Sequence, residues 1–179
     1  MNLQIRVALF VIPLVLIATT DRAGAAEERI VSKYTSTARA KALSFKEYNE
    51  ESVGFRGVFP GFGKYQLEHL AGDDRSWINL RFNGQTVDLY GATMEAAGGS
   101  FPQKANDVVE WRGLEKNGRF EPYALIYRVE AGKGDSTEKT QTRLIVIKLA
   151  GARSAVIGRT QGAKEDAEAR RIADRARPR

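Results

Sequence analysis

Asn83-Gly84 joins two alternating segments, 77–82 (WINLRF) and 85–90 (QTVDLY). This pair is the preferred one for a two-residue type I′ turn, because both positions tolerate positive φ. A turn of that length fixes the register. It sets Phe82 opposite Gln85, Leu80 opposite Val87, Ile78 opposite Leu89, and Trp77 opposite Tyr90. One face of the hairpin is then apolar. The other carries Arg81, Thr86, Asn79 and Asp88 and ends in the Trp77–Tyr90 pair. An antiparallel sheet is the only ready home for such a unit.

The rest of the chain extends that sheet. Strands are expected at 30–34, 65–69, 108–111, 123–130, 143–149 and 155–157, with turn residues between them. Leu144 to Ile147 is continuously apolar, as in a strand covered on both faces. The polar stretch 36–52 is expected to be a loop with one helical turn. The glycine-punctuated segment 54–63 is expected to be turn-like, with Phe62 tucked into the core. The twelve residues 131–142 (AGKGDSTEKTQT) are expected to form a mobile loop. Helical periodicity is nearly absent until 164–177, where Ala169, Ile172, Ala173 and Ala176 share a narrow face. Acids come early in that helix and arginines late, which suits the helix dipole. With only Ile172 bulky on its apolar face, it is expected to dock weakly or lie on the surface. The fold class is therefore α+β: a mostly antiparallel sheet or small sandwich with one C-terminal helix.

Residues 1–25 have the pattern of a signal peptide. An early Arg6 precedes the apolar run 7–18 (VALFVIPLVLIA), and Ala23-Gly24-Ala25 before Ala26 is a small-residue cleavage site. As a helix that run spans roughly 18 Å, short of the ~30 Å hydrocarbon core. The expected organisation is a signal peptide at 1–25, a β-rich globular domain at 26–162 and a basic C-terminal helix and tail at 163–179. Cleavage between Ala25 and Ala26 leaves no transmembrane segment and a periplasmic or secreted product. The chain has no cysteine, which excludes disulfides, thiolate metal sites and cysteine nucleophiles. Its formal net charge of +6 is concentrated in the tail. The body is nearly neutral, so no nucleic-acid partner is expected.

No convergent catalytic set emerges, and no cofactor or metal site is expected. His69 is the sole histidine and, in a strand, points away from its neighbour Glu68. It is expected to be exposed. Ser136-x-x-Lys139 lacks the companion motifs of acyl-serine enzymes. The binding candidates are the arginines Arg170, Arg171 and Arg175 of the tail helix, and the aromatic pair Trp77 and Tyr90. That pair forms either a surface patch or a contact covered by 36–52. The expected function is a non-enzymatic envelope domain that binds a protein or small ligand. The alternative is a carboxylate-dependent hydrolase acting on envelope polysaccharide, using acids such as Glu68, Asp73, Asp74 and Asp88.

Four segments add a resemblance: Tyr34-Thr35-Ser36-Thr37, Pro60-Gly61-Phe62-Gly63-Lys64-Tyr65, Tyr123-Ala124-Leu125-Ile126-Tyr127-Arg128 and Ala167-Glu168-Ala169-Arg170-Arg171-Ile172-Ala173-Asp174. In order and spacing they resemble a group of uncharacterised exported proteins of alphaproteobacteria. The resemblance implies export but no reaction, cofactor or catalytic residue. Members of that group often carry paired cysteines, which this sequence lacks.

Overall fold

The structure is a computed structural model that describes residues 27–48, 54–98, 101–134 and 136–178, the side chains of 136–138 excepted. Ala25 and Ala26 lie outside the described residues. The strands are β1 (Arg29–Ser36), β2 (Ser44–Glu47), β3 (Gly54–Pro60), β4 (Tyr65–Gly72), β5 (Arg75–Phe82), β6 (Gln85–Val87), β7 (Gln103–Lys116), β8 (Arg119–Lys133), β9 (Ser136–Lys148) and β10 (Ala155–Thr160). Among the described residues two helices accompany them, α1 (Tyr90–Ala97) and α2 (Glu165–Arg175). The strands form one sheet in the order β10-β9-β8-β7-β5-β4-β3-β2, with β1 beside β7 and β6 beside β5. Every pairing is antiparallel except the Arg75–Gln103 bridge between β5 and β7.

The Asn83-Gly84 turn has φ of 51° and 82°, as type I′ geometry requires. The register follows it for Phe82–Gln85, Arg81–Thr86 and Leu80–Val87. The expected pairs beyond Val87 do not form. Asn79 Oδ1 accepts the Leu89 N–H at 2.9 Å, and Asp88 Oδ1 accepts the Tyr90 N–H at 3.0 Å. These two side chains satisfy the backbone and turn the chain into α1, a helix too short and weakly patterned to announce itself by periodicity.

Two segments expected to be irregular are largely strand, and the expected loop at 36–52 keeps its helical turn but adds a short strand. Within 36–52 a 3-10 turn at Arg39–Lys41 leads into β2, a polar edge strand anchored by Phe45 against Phe55 at 5.1 Å. Within 54–60 the glycines make room rather than turns, whereas Gly63, at φ of 62°, serves the turn that follows. A Cβ on Gly57 would lie 2.5 Å from the Phe59 ring. The turn comes only after Pro60, and there Phe62 does tuck inward, edge-on to Trp111 and Phe120. The 131–142 stretch continues the β8–β9 ladder to the Lys133–Ser136 pair, with Glu130 opposite Thr142 and Gly132 opposite Thr140. Its polarity reflects an exposed hairpin end, not irregular backbone.

One core cluster draws Phe59, Leu67, Ile78 and Leu80 from β3–β5 together with Trp111, Leu125, Tyr127, Ile145 and Ile147 from β7–β9. The sheet therefore curls around a shared interior. The opposite face of β8 and β9 offers Ala124, Ile126, Leu144 and Val146 to α2. Leu144 to Ile147 is thus buried on both faces, as its unbroken apolar run predicts.

The tail helix docks more firmly than its composition predicts. Ala169 and Ala173 are fully buried, and Gly158 leaves space for Ile172. Small residues let the helix approach the sheet closely, and polar contacts then hold it. Asp174 accepts hydrogen bonds from Arg112 at 2.8 and 3.0 Å and from Tyr123 at 2.6 Å. Burial alone would raise the Asp174 pKa, but these bonds overcome it and hold the carboxyl below its ordinary value.

Candidate functional site

β7 loses its pairing with β8 between Ala105 and Val109. Val108 stands out from this bulge, 56% exposed. Beside it β1 presents Tyr34, 55% exposed, and the first turns of α2 bring Asp166 and Arg170 across from the other side. These elements enclose a groove of about 430 Å³ floored by Ile126 and Leu144.

The charges in the groove are matched and mutually bonded. Arg170 donates to Glu110 at 2.7 and 3.0 Å and to the Tyr34 hydroxyl at 3.2 Å. Ser32 gives Glu110 a further hydrogen bond at 2.5 Å. The bond to Glu110 raises the Arg170 pKa above its ordinary value, so this guanidinium is permanently charged and held in place. Arg128 pairs with Glu165 and lies 3.7 Å from Asp166. The wall is polar but locally neutral, and the floor is apolar.

The other tail arginines do not join this site. Arg171 reaches Glu168 at 3.2 Å on the exposed side of the helix, and Arg175 is exposed. Trp77 and Tyr90 do come together, with ring centroids 4.6 Å apart, although their backbones do not pair. The Tyr90 hydroxyl accepts a hydrogen bond from Arg75 at 3.1 Å, and the Arg75 guanidinium lies 3.7 Å over the Phe101 ring. The strand within 36–52 does not pair with β5; β3 and β4 separate β2 from it.

His69 is buried rather than exposed, packed against Phe55 at 5.0 Å and Phe59 at 6.5 Å. Burial lowers its pKa to about 4, so the ring is neutral at ordinary pH. Glu68 is also buried, and Arg56 donates to it at 2.8 Å. Asp73 and Asp74 sit exposed at the β4–β5 turn, and Asp88 is engaged at the start of α1. None of the four grooves described is lined by Glu68, Asp73, Asp74 or Asp88. Among the described residues no three His, Asp or Glu side chains gather as a metal site. Ser136 opens a strand rather than a helix.

Tyr34, Val108, Glu110 and Arg128 were not singled out by sequence reasoning. Their meeting depends on the β1–β7 pairing and on the docking of α2. Neither leaves a local signal. The chain matches no family model, no curated protein and no solved structure, so its functional reading rests on this geometry. No helix among the described residues is long and apolar enough to cross a membrane.

Proposed function

We propose that the chain is a non-enzymatic binding domain of the cell envelope, periplasmic or secreted, built as a small sandwich. It holds an uncharged segment of an envelope protein, or a small ligand of like polarity, in the groove between α2 and the bulge of β7. The charge matching in that groove carries the reading. A neutral guest leaves the Arg170–Glu110 and Arg128–Asp166 contacts intact while covering the exposed Val108 and Tyr34. A charged guest would have to compete with partners already in place. The signal-peptide pattern supports the location, and the lack of converging acids weakens the hydrolase alternative.

Immobilised protein challenged with envelope extract tests this at about 0.5 M salt, where attraction between exposed charges is screened. The expected result is retention of a component that is lost on Val108→Arg and kept on Arg175→Ala. Retention unchanged by Val108→Arg, or lost with Arg175→Ala, contradicts it.

A further inference from the structure

The β2–β5 arm has a second face, turned away from Phe59, Leu67 and Ile78. Register places Lys46, Arg56, Leu70 and Trp77 in one cross-strand row on that face. Residues directly opposite in antiparallel pairs point to the same side. A recess of about 240 Å³ there is lined by Ser44, Phe45, Lys46, Arg56, Val58 and Arg81. Among the described residues its lining has cations from three strands and no carboxylate.

The charge balance of this recess is unlike that of the α2 groove. Glu68 lies beneath, 1% exposed, and its two oxygens are engaged by Arg56 and by Thr86 at 3.3 Å. It offsets one of the three cations. Arg81 donates from Nη2 to the Gly84 carbonyl at 2.8 Å, while its shielded Nε has no partner among the described residues. Lys46 is exposed and makes no ion pair among the described residues. Among the described residues this leaves a surplus of two positive charges around a serine-bearing recess, which favours an anionic group with several acceptor oxygens. The row then runs over Leu70 to Trp77, two strands and roughly 10 Å from Arg56 at the usual strand spacing. Trp77 itself has a shielded Nε1 without a partner among the described residues, and it leans on Tyr90.

We propose that this face binds a single amphiphile, its phosphate-type group among Lys46, Arg56 and Arg81 and its apolar part along Leu70 to Trp77. The small recess accommodates one headgroup, which favours a free molecule over a bilayer surface. This site is separate from the α2 groove and does not depend on it.

Calorimetric titration of the folded protein with decyl phosphate below its micelle concentration, inorganic phosphate and decyl maltoside tests the proposal. Decyl phosphate is expected to bind at least tenfold more tightly than inorganic phosphate, and decyl maltoside not to bind. Lys46→Gln and Arg81→Gln each weaken decyl phosphate at least fivefold. Trp77→Leu reduces it to the level of inorganic phosphate. Trp111 is buried, so a saturable change in tryptophan emission reports on Trp77. Lys46 is exposed, so Lys46→Gln still decides the matter should Arg81→Gln fail to fold. Equal binding of decyl maltoside overturns the proposal, as does inorganic phosphate binding as tightly as decyl phosphate. An unchanged affinity in Lys46→Gln does so too. Sedimentation with phosphatidylglycerol vesicles that decyl phosphate does not reverse would assign the face to a membrane instead.

Discussion

His69 and Gln103 are two polar residues placed where water does not reach them. Neither ring nitrogen of His69 meets normal hydrogen-bond geometry among the described residues. Burial lowers its pKa from 6.5 to about 4, against the opposing pull of Asp107 and the Thr37 backbone. The folded state therefore excludes a proton that the unfolded chain takes up below pH 6.5. The stability contributed by neutral His69 is complete above that pH and is lost as pH falls toward 4, by about 3 kcal/mol at most. His69→Leu should flatten that part of the stability curve, as measured by urea unfolding between pH 7 and pH 4. A parallel curve for the variant would show that other groups set the slope. Gln103 is fully buried, and neither amide atom has a partner among the described residues. Gln103→Met keeps the length of the side chain and removes both polar atoms, so it should stabilise the fold by about 1 kcal/mol. A loss of stability would reveal an ordered water on the amide.

At the level of elements, α2 is held by close approach and by ion pairs rather than by bulk. Ala173→Leu should cost about 2 kcal/mol, because the helix would have to lift from β8 and β9. Ala167→Leu, on the exposed side, should cost almost nothing. Thermal melts of the two variants separate these outcomes, and equal melting temperatures would mean that α2 is not packed as described. Elements were legible from sequence where one local rule governed them. Asn83-Gly84 set the hairpin, the Leu144–Ile147 run marked a strand covered on both sides, and the arginine-rich end marked α2. Elements failed to show where polarity imitated a loop. Thr140 and Thr142 belong to a ladder whose side chains meet solvent, and β2 is an edge strand with little apolar content. The end of the hairpin at Val87 was hidden because Asn79 and Asp88 redirect the backbone through side-chain hydrogen bonds.

For the whole molecule, the curled sheet separates two surfaces of different chemistry, and this separation explains why the site could be read only in part. Arg170 was visible as one of several tail arginines, but its partner Glu110 comes from a strand 60 residues earlier. Trp77 and Tyr90 were expected to meet as a hairpin pair and do meet, but through the turn into α1 rather than by strand pairing. Lys46 and Arg56 reach the row of Trp77 only through β3 and β4. The two surfaces should also differ in their response to salt. Binding in the charge-matched α2 groove should change little between low and moderate ionic strength, whereas binding at Lys46, Arg56 and Arg81 should weaken steeply. Titrations at two salt concentrations check this, and equal salt dependence would contradict the assignment.

We propose that the α2 groove is where the domain meets its partner. The most direct measurement is photo-crosslinking in intact cells, with a photoreactive phenylalanine placed at Tyr34, at Val108 or, as a control, at Asn117 on the exposed β7–β8 turn. The same adduct is expected from positions 34 and 108 and none from 117. Adducts from 117 alone, or identical adducts from all three positions, would contradict it.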